Sequence, residues 1–464
     1  MTDGLGLDDV YGATIERIEA QGGYKSRLGM GALMWVSYAE VPLNPDELCH
    51  ALAIDLGSTD FNADNIPSVT TLVSCCQGLI TVDKEASTVR LIHFTLREYL
   101  STHSNIFSAP HSAMAEICLT YLNSEQVKAL SADSYADLCV VIHDNPFLEY
   151  CSLHWGVHAK REFSDCSMSL ALQLFRDFDG HISRILLWEE ANGQRSSYYH
   201  RFQFSPLHCA SVFGIVELLA NLIKMECYDI NEGDDYGFTP LAWAAQYGHD
   251  EMVKMLVESD VVDLNKPDII GQTPLLSAAK KGHEVVVKIL LGREEINPDA
   301  PDDEGFTPLL YAAQNGHEAV VKILLGRDEV NPDKPDNKGR TPLVFAAQRG
   351  HEGVVRALLG REEVNPDRPD NKGRTPLSYA AENRYAFVAP SRLEEVVKIL
   401  LQRDEVNPHL QDSDGRTPLS RAVESENKGV AKILLEREED TLTGRIMSAE
   451  HRSRLPQGRD LRGW

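Results

Sequence analysis

The 464-residue sequence has no apolar run near the roughly 20 residues that a membrane-spanning helix needs. It begins Met1-Thr2-Asp3-Gly4 and lacks the basic and apolar regions of a signal peptide. Its nine cysteines all lie between Cys49 and Cys227, and no cysteine follows. An odd number of cysteines without metal-ligand spacing favours reduced thiols. We therefore expect a cytoplasmic or nuclear protein with no membrane partner.

Positive charge is also scarce. The chain has 70 acidic and 45 basic residues, which gives a formal net charge of −25. Binding to a phosphate backbone requires clustered Lys and Arg, so nucleic acid is not an expected partner. No Gly-Lys dipeptide and no Gly-x-Ser-x-Gly motif occur, which excludes a Walker A loop and a serine-hydrolase nucleophile elbow. We expect no enzymatic activity, no catalytic residues and no cofactor.

The second half of the chain has a tripeptide, Thr-Pro-Leu, at a fixed spacing. Its threonines follow one another at intervals of 34 residues, at Thr239, Thr273, Thr307, Thr341 and Thr375. A variant copy at Ser205 lies 34 residues upstream, and a seventh copy begins at Thr417, 42 residues after Thr375. A fixed period of this length predicts a stacked repeat array, which presents a long binding surface.

One copy shows why each unit should fold in the same way. Residues 336–339, Asp-Asn-Lys-Gly, favour a tight turn. Thr341 can cap a helix that begins with Pro342, and Gly350 can end that helix. The helix that follows has apolar residues at 354, 355, 358 and 359, which form one buried stripe.

The unit resembles the ankyrin repeat in the order of its parts: a turn, a helix that begins Thr-Pro-Leu, the sequence Ala-Ala-x-x-Gly-His, and a second helix with the sequence Val-Val-Lys-x-Leu-Leu. Seven copies cover residues 202–440, and the regular 34-residue unit is one residue longer than the family's usual unit. The resemblance implies an α-solenoid of helix pairs with projecting hairpins, which usually binds proteins. The sixth copy has an insertion at 384–393. It is interpreted either as a binding loop or as a segment without a function, which would be a tolerated insertion or an error of gene prediction. We expect a disordered tail at 441–464.

In ankyrin repeats, partners usually contact the hairpin tips and the two residues after Ala-Ala. The tips of the second to fourth copies are mainly apolar, and those of the later copies are basic. We expect an apolar contact patch with a basic rim, unless the apolar tips pack on neighbouring hairpins. The expected partner-binding residues are Asp235, Tyr236, Phe238, Tyr247, Ile269, Ile270, Gln272, Lys280, Lys281, Phe306, Asn315, Lys338, Arg340, Arg349, Lys372 and Arg374.

Four histidines recur with the same period, at His249, His283, His317 and His351. Equivalent positions of stacked helix pairs lie about 10 Å apart. The ligands of one zinc ion each lie about 2 Å from it. The column therefore predicts no metal site, and we expect each histidine to stabilise a turn.

The first two hundred residues are not repetitive. They predict helices at 28–38, 46–53, 66–76 and 93–100, with two short strands at 78–82 and 88–92. The runs Ala32–Val36, Cys75–Leu79 and His93–Leu100 resemble the winged helix of the GPI inositol-deacylase type. In fungal NOD-like (STAND) receptors, such a domain follows the NACHT nucleotide-binding module. The resemblance implies a winged-helix domain at 10–105 and a helical linker domain at 106–200.

Taken together, the sequence predicts a mostly α fold, an α-solenoid of ankyrin repeats preceded by a winged helix and a helical linker. The third helix of the winged helix has no Lys or Arg, which argues against DNA binding. We expect a protein-binding scaffold, the sensor and regulatory part of a STAND-type receptor without its nucleotide-binding module. The alternatives are a subunit that acts in trans with a NACHT NTPase chain, and a hydrolase-associated protein.

Overall fold

The computed structural model describes residues 7–58, 60–193, 203–382 and 388–437. The fold is mostly helical, as predicted, and it divides into two compact units, residues 1–240 and 241–464. The first unit contains the winged helix, the linker helices and the first repeat. The second unit contains the later repeats.

The first hundred residues form helices and a two-stranded antiparallel sheet. The elements are α1 (Leu7–Ala20), α2 (Gly23–Tyr38), α3 (Pro45–Leu52), α4 (Val69–Cys75), β1 (Ile80–Asp83), β2 (Thr88–Leu91) and α5 (Phe94–Thr102), with a short 3-10 turn at Ala63–Asn65. Ile80 of β1 pairs with Leu91 of β2, and Asp83 pairs with Thr88. The backbone N–H of Val89 also donates to the carbonyl oxygen of Leu43, which ties the sheet to the segment before α3.

The predicted order of helices and strands is confirmed, with two differences at the N-terminus. Helix α1 was not predicted, although Tyr11, Ile15 and Ile18 form a buried stripe on it. Helix α2 begins at Gly23 rather than at Leu28. Its first turn is mostly polar and exposed, so hydrophobic periodicity did not mark it.

The linker helices pack around α9. They are α6 (Pro110–Leu122), α7 (Glu125–Lys128), α8 (Tyr135–Asp144), α9 (Phe147–Arg161), α10 (Asp165–Arg176) and α11 (Ile182–Asn192), with a 3-10 turn at Phe178–Gly180. Trp35 of α2 is fully buried, and its ring lies 5.4 Å from Phe147 and 5.6 Å from Tyr150, edge to face. Helices α2 and α9 therefore share one hydrophobic core.

The first repeat packs on the same helix. The Phe213 ring lies 5.1 Å from the Trp155 ring. Gly156 makes this approach possible, because a Cβ atom there would lie 2.2 Å from the Phe213 ring. Within the first unit, the linker and the first repeat are thus joined by close side-chain packing.

The repeats form pairs of short helices. The bounds are α12 (Pro206–Phe213), α13 (Val216–Lys224), α14 (Pro240–Tyr247), α15 (Asp250–Val257), α16 (Pro274–Lys281), α17 (Glu284–Leu291), α18 (Pro308–Asn315), α19 (Glu318–Leu325), α20 (Pro342–Gln348), α21 (Glu352–Leu359), α22 (Pro376–Ala381), α23 (Pro390–Leu401), α24 (Pro418–Glu424) and α25 (428–437). In the second unit, the inner helices α16, α18, α20, α22 and α24 pack on one another in sequence. The outer helices α15, α17, α19, α21 and α23 do the same. The predicted solenoid is confirmed.

The predicted helix caps are also present. The Thr307 hydroxyl accepts a hydrogen bond from the backbone N–H of Leu310 at 3.2 Å, and Thr273, Thr341, Thr375 and Thr417 cap in the same way. Gly316 ends α18 with a φ of 77°, in the left-handed region that favours glycine.

The insertion in the sixth copy is partly helical. Helix α23 begins at Pro390 and has 12 residues, whereas α21 has 8. Val388 and Leu393 are buried. The described end of the insertion therefore starts a helix and does not form a loop. The rest of the expected binding loop, residues 384–387, and the expected tail at 441–464 lie outside the described residues.

All nine cysteines are free thiols, and six of them are buried. Of the helices in the described ranges, none combines the length and the apolar character that crossing a membrane requires.

Candidate protein-binding surface

The hairpins of the second to seventh copies are each built on a buried aspartate, a position that the sequence pattern indicated only as part of a turn. Asp336 is 5% exposed, and its Oδ1 accepts hydrogen bonds from the backbone N–H groups of Lys338 (2.9 Å) and Arg340 (2.7 Å). The same pair of bonds recurs at Asp234, Asp268, Asp302, Asp370 and Asp412. The carboxylate thus fixes the backbone of the turn.

Neighbouring hairpins of the second unit are joined by backbone hydrogen bonds. The N–H groups of Asp303, Asn337, Asn371 and Ser413 donate to the carbonyl oxygens of Ile270, Glu304, Lys338 and Lys372, respectively, at 2.9–3.1 Å. The tips are therefore held in one continuous edge, and they are not independent loops.

In the second unit, the two residues before each hairpin glycine form an exposed edge, which we call the tip row. It consists of Ile269, Ile270, Asp303, Glu304, Asn337, Lys338, Asn371, Lys372, Ser413 and Asp414, all exposed. Ile269 is 61% and Ile270 is 49% exposed, so an apolar end exists, as expected. However, it is limited to these two residues, and an acidic tip separates it from Lys338 and Lys372.

The residue after each glycine folds back over the inner helices. Phe306 is 6% exposed, and its ring lies 5.0 Å from Tyr311 and 5.2 Å from Phe345. Gln272 is 4% exposed, and its Nε2 donates to the Tyr311 hydroxyl at 2.8 Å. The expectation that Phe306 and Gln272 are exposed contact residues is therefore wrong. Both side chains contact inner helices, Phe306 on α18 and α20 and Gln272 on α18, whereas the alternative had expected apolar tips to pack on neighbouring hairpins.

Arg340 and Arg374, expected in the basic rim, are half-buried. Arg374 lies 2.8 Å from the Asp370 carboxylate and 4.3 Å from the centre of the Tyr379 ring. Arg340 lies 2.6 Å from Asp336 and 4.5 Å from the centre of the Phe345 ring. Both guanidinium groups balance a buried carboxylate. The exposed positive charge on these two hairpins comes from Lys338 and Lys372.

The buried aspartates differ in their charge balance. Burial alone would raise the pKa of Asp370. Its carboxylate accepts hydrogen bonds from the backbone N–H of Arg374 and from the Tyr379 hydroxyl, the latter at 2.7 Å. These bonds outweigh burial and hold the pKa of Asp370 below its usual value. At Asp268, burial raises the pKa, and the N–H groups of Gln272 and Ile270 offset only part of it. Asp370 is thus the better stabilised anion.

The expected contact residues of the inner helices divide between surface and interior. Tyr247 and Lys281 are exposed, whereas Lys280, Asn315 and Arg349 are half-buried. The Lys280 ammonium lies 5.0 Å from the centre of the Tyr311 ring, and the Asn315 amide donates to the Lys280 carbonyl oxygen at 3.0 Å. Asn315 therefore contributes to packing within the array. Tyr247 and Lys281 stay accessible.

Three further expected residues, Asp235, Tyr236 and Phe238, lie in the first unit. The Tyr236 ring stacks on Trp188 of α11, with the ring centres 5.3 Å apart and the planes 7° from parallel. Asp235 is exposed, and its carboxylate accepts from the backbone N–H of Gln203 at 3.3 Å. Phe238 is half-buried. Tyr236 thus packs within its own unit, which the sequence pattern did not indicate.

The histidine column stabilises turns, as predicted. Nε2 of His283, His317 and His351 donates to the carbonyl oxygens of Gln246, Lys280 and Gln314 at 2.9–3.1 Å. Each ring also lies against the glycine of the preceding copy. A Cβ atom on Gly282 would lie 2.5 Å from Nδ1 of His317. The sixth copy has no such histidine, and Arg392 lies next to Gly350 instead.

A polar cluster in the first unit was not found from the sequence. It consists of Glu40 after α2, His111 on α6 and His158 on α9. His158 is fully buried, and burial, with the nearby His111, His154 and Arg161, lowers its pKa to about 3. No short motif links these residues, because only the packing of three elements brings them together.

Several solved structures resemble part of the chain. The ankyrin repeat domain of Bcl-3, described as a unique member of the IkappaB protein family, is 24% identical with a TM-score of 0.42 and covers 50% of this chain and 97% of its own. The ankyrin repeat protein EF0377 is 24% identical with a TM-score of 0.39, covering 45% and 98%. The human ASB11 ankyrin repeat domain is 27% identical with a TM-score of 0.42, covering 50% and 97%.

Family models identify both parts of the chain. The model for ankyrin repeats in three copies matches residues 177–268, 261–336 and 328–390, and the single-repeat model matches 372–413. The model for the GPI inositol-deacylase winged helix domain matches residues 16–109. No curated protein sequence matches the chain. The chain is therefore an ankyrin-repeat protein with a winged-helix domain of the GPI inositol-deacylase type ahead of its repeats.

Proposed function

We propose that this chain is a protein-interaction scaffold without catalytic activity, which binds a protein partner along the tip row. The observation that carries the proposal is the pair Ile269 and Ile270, 61% and 49% exposed on one hairpin. Asp268 and the neighbouring hairpin hold the backbone of this tip. An apolar tip that is already ordered binds with a small loss of conformational entropy.

The charges along the tip row indicate which surface a partner would present to it. Beyond the isoleucines, the exposed tips are acidic at Asp303 and Glu304 and basic at Lys338 and Lys372. The complementary surface has an apolar anchor, then basic groups, then acidic groups. Complementary charges of this kind set the orientation of the partner and the rate of encounter. Tyr247 and Lys281 on the inner helices extend the same contact surface.

Within this proposal, the chain is the sensor and regulatory part of a fungal STAND-type receptor. The winged-helix match at residues 16–109 supports that assignment. The free, mostly buried thiols favour the cytoplasm or the nucleus.

An apolar surface on the winged helix favours a second candidate, a subunit that binds a NACHT-type NTPase in trans. Val41, Ile92 and Phe94 are 45%, 58% and 69% exposed. Val41 and Phe94 line a cleft of about 430 Å³ between β2, α5 and the segment after α2. Exposed apolar side chains around a cleft are typical of interaction surfaces.

Affinity capture with the full-length chain tests both candidates. The tagged chain is incubated with extract of the source organism, and the bound proteins are identified by mass spectrometry. The double variant Ile269→Ser/Ile270→Ser should lose the captured partner, with an affinity lower by about 2 kcal/mol or more in a purified pair. The control is Val285→Ser, which removes a 52% exposed apolar residue from the outer helix α17.

The outcomes separate the two surfaces. Equal capture by the double variant, the control and the wild type would sink the tip-row proposal. Capture of a NACHT-containing chain that is lost in Phe94→Ser but kept in Ile269→Ser/Ile270→Ser would support the in-trans candidate. Circular dichroism of each variant checks that the fold is retained.

A further inference from the structure

Two imidazoles and one carboxylate converge in the first unit, where the end of α2 meets α6 and α9. Glu40 follows α2, His111 lies in the first turn of α6, and His158 lies near the end of α9. One ligand atom from each lies within 4.8 Å of the others. Across the described ranges, this is the set of three or more His, Cys, Asp or Glu side chains that has metal-ligand spacing.

The distances between these atoms fit a small cation. Nδ1 of His111 lies 2.8 Å from Nδ1 of His158, which lies 4.0 Å from Oε1 of Glu40. Ligands of tetrahedral zinc lie about 2 Å from the ion, so neighbouring ligand atoms are about 3.3 Å apart. One observed distance is slightly shorter than this spacing and the other is slightly longer. Small rotations of the side chains would bring both distances to about 3.3 Å.

The hydrogen bond between the two rings directs both Nδ1 atoms at one point, where a cation would replace the shared hydrogen. At 2.8 Å, one Nδ1 donates its hydrogen and the other accepts it, so the accepting ring is neutral. A cation between the two nitrogens uses both lone pairs. The hydrogen of the donating Nδ1 then moves to Nε2 of its own ring when that ring is neutral, and it is released to solvent when that ring also carries a hydrogen on Nε2.

Tyr150 is placed to orient this site. Its hydroxyl lies 2.8 Å from Nε2 of His158 and accepts the backbone N–H of Glu40 at 3.2 Å. With the cation on Nδ1, Nε2 of His158 donates to this hydroxyl, as metal-bound histidines usually do to an outer partner. Because Tyr150 packs against Trp35 and Phe147, its position is fixed by the core.

Arg161 is the group with which a cation would compete. Its Nη1 lies 2.5 Å from Oε1 of Glu40, and its Nη2 lies 3.1 Å from Oε2. The Arg161 side chain is 48% exposed, so it can withdraw toward solvent. The cation then takes Oε1, and the guanidinium keeps its bond to Oε2.

From this arrangement, we propose that Glu40, His111 and His158 bind one divalent transition-metal ion of the zinc class. Two imidazoles and one carboxylate form a donor set that suits zinc, with water in the fourth position. The ion connects the end of α2 to α6 and α9 and so ties the winged helix to the linker helices. This site is independent of the tip row, and its test does not depend on a protein partner.

Zinc binding by the full-length chain tests the proposal. The protein is stripped with a chelator and titrated with Zn²⁺ in competition with a chromophoric chelator. We expect one zinc ion per chain, and an affinity that falls at least about tenfold in Glu40→Gln, in His111→Gln and in Tyr150→Phe. His154→Gln is the matched control, because His154 lies one turn before His158 on α9 and outside the set. It should bind zinc like the wild type.

Two further readouts keep the result unambiguous. Zn²⁺ should raise the melting temperature of the wild type in proportion to the logarithm of its concentration, and it should not do so for His111→Gln. With Co²⁺, a nitrogen and oxygen ligand set gives no thiolate charge-transfer band. The proposal is overturned by absence of zinc binding, by unchanged affinity in Glu40→Gln and His111→Gln, or by a strong thiolate-to-cobalt band, which would place the metal on cysteines.

Discussion

The two units of this protein stabilise themselves through contacts of very different range along the chain. In the array, Nε2 of His283, His317 and His351 each bonds a carbonyl oxygen 37 residues earlier. In the first unit, the Tyr150 hydroxyl bonds the backbone of Glu40, 110 residues away. The array is thus a chain of equal, local contacts, whereas the first unit depends on single contacts that occur once. A destabilising substitution in the array should therefore affect only neighbouring repeats, whereas one in the first unit should affect that whole unit.

The largest expected effect tests this comparison by removing one buried aromatic side chain from each unit. Trp35→Ala removes a fully buried ring and should cost about 3–5 kcal/mol of unfolding free energy, as should Phe345→Ala in the array. In Trp35→Ala, we expect faster hydrogen exchange throughout the first unit. In Phe345→Ala, faster exchange should be confined to α18, α20, α22 and their partner helices. Hydrogen exchange with mass spectrometry measures both, and uniform acceleration of the whole array would contradict the local character of its contacts.

A smaller effect compares two buried aspartates of the array. At neutral pH, Asp370→Asn should cost about 1.5–3 kcal/mol of unfolding free energy, because the amide cannot accept from both Tyr379 and Arg374 as the carboxylate does. Asp268→Asn is the matched control. Its carboxylate has a raised pKa and the same two backbone bonds, so the substitution should cost much less.

The pH dependence of these two variants has a defined sign. Because the folded-state pKa of Asp370 is lowered, its contribution is present above the unfolded-state pKa of about 3.9 and is lost as the pH falls through the folded value. The cost of Asp370→Asn should therefore shrink in acid. Denaturant titrations at pH 7 and below pH 4 measure it. A cost that grows in acid, or equal costs for both variants, would contradict this account.

The smallest expected effect compares two glycines of the array. Gly316→Ala should cost about 1–2 kcal/mol from its left-handed backbone alone, and more because the new Cβ would lie 2.6 Å from His351. Gly360 has a φ of −73°, and a Cβ there meets its nearest neighbours at ordinary distances. Gly360→Ala should be neutral or stabilising by up to about 1 kcal/mol. Thermal unfolding of the two variants checks the difference, and similar losses would contradict the role given to the His351 contact.

The repeat helices, their threonine caps and the role of the histidines could be predicted because each depends on residues within one or two copies. The buried aspartates recur with the same period, so their signal was also available. The burial of Phe306 could not be predicted, because it depends on Tyr311 and on Phe345 of the next copy, and these positions vary between copies. The Glu40, His111 and His158 cluster could not be predicted either, since it forms only when α2, α6 and α9 pack.

The contact of each histidine with the glycine of the preceding copy has an evolutionary consequence. The third and fourth copies each carry one glycine that meets the histidine of the next copy and one histidine that meets the glycine of the previous copy. Loss or duplication of one of these copies by recombination leaves both partners of the glycine–histidine contacts in place, whereas loss of half a copy leaves one partner without its counterpart. The array can therefore gain or lose a hairpin tip, and with it a binding preference, while its core contacts stay the same.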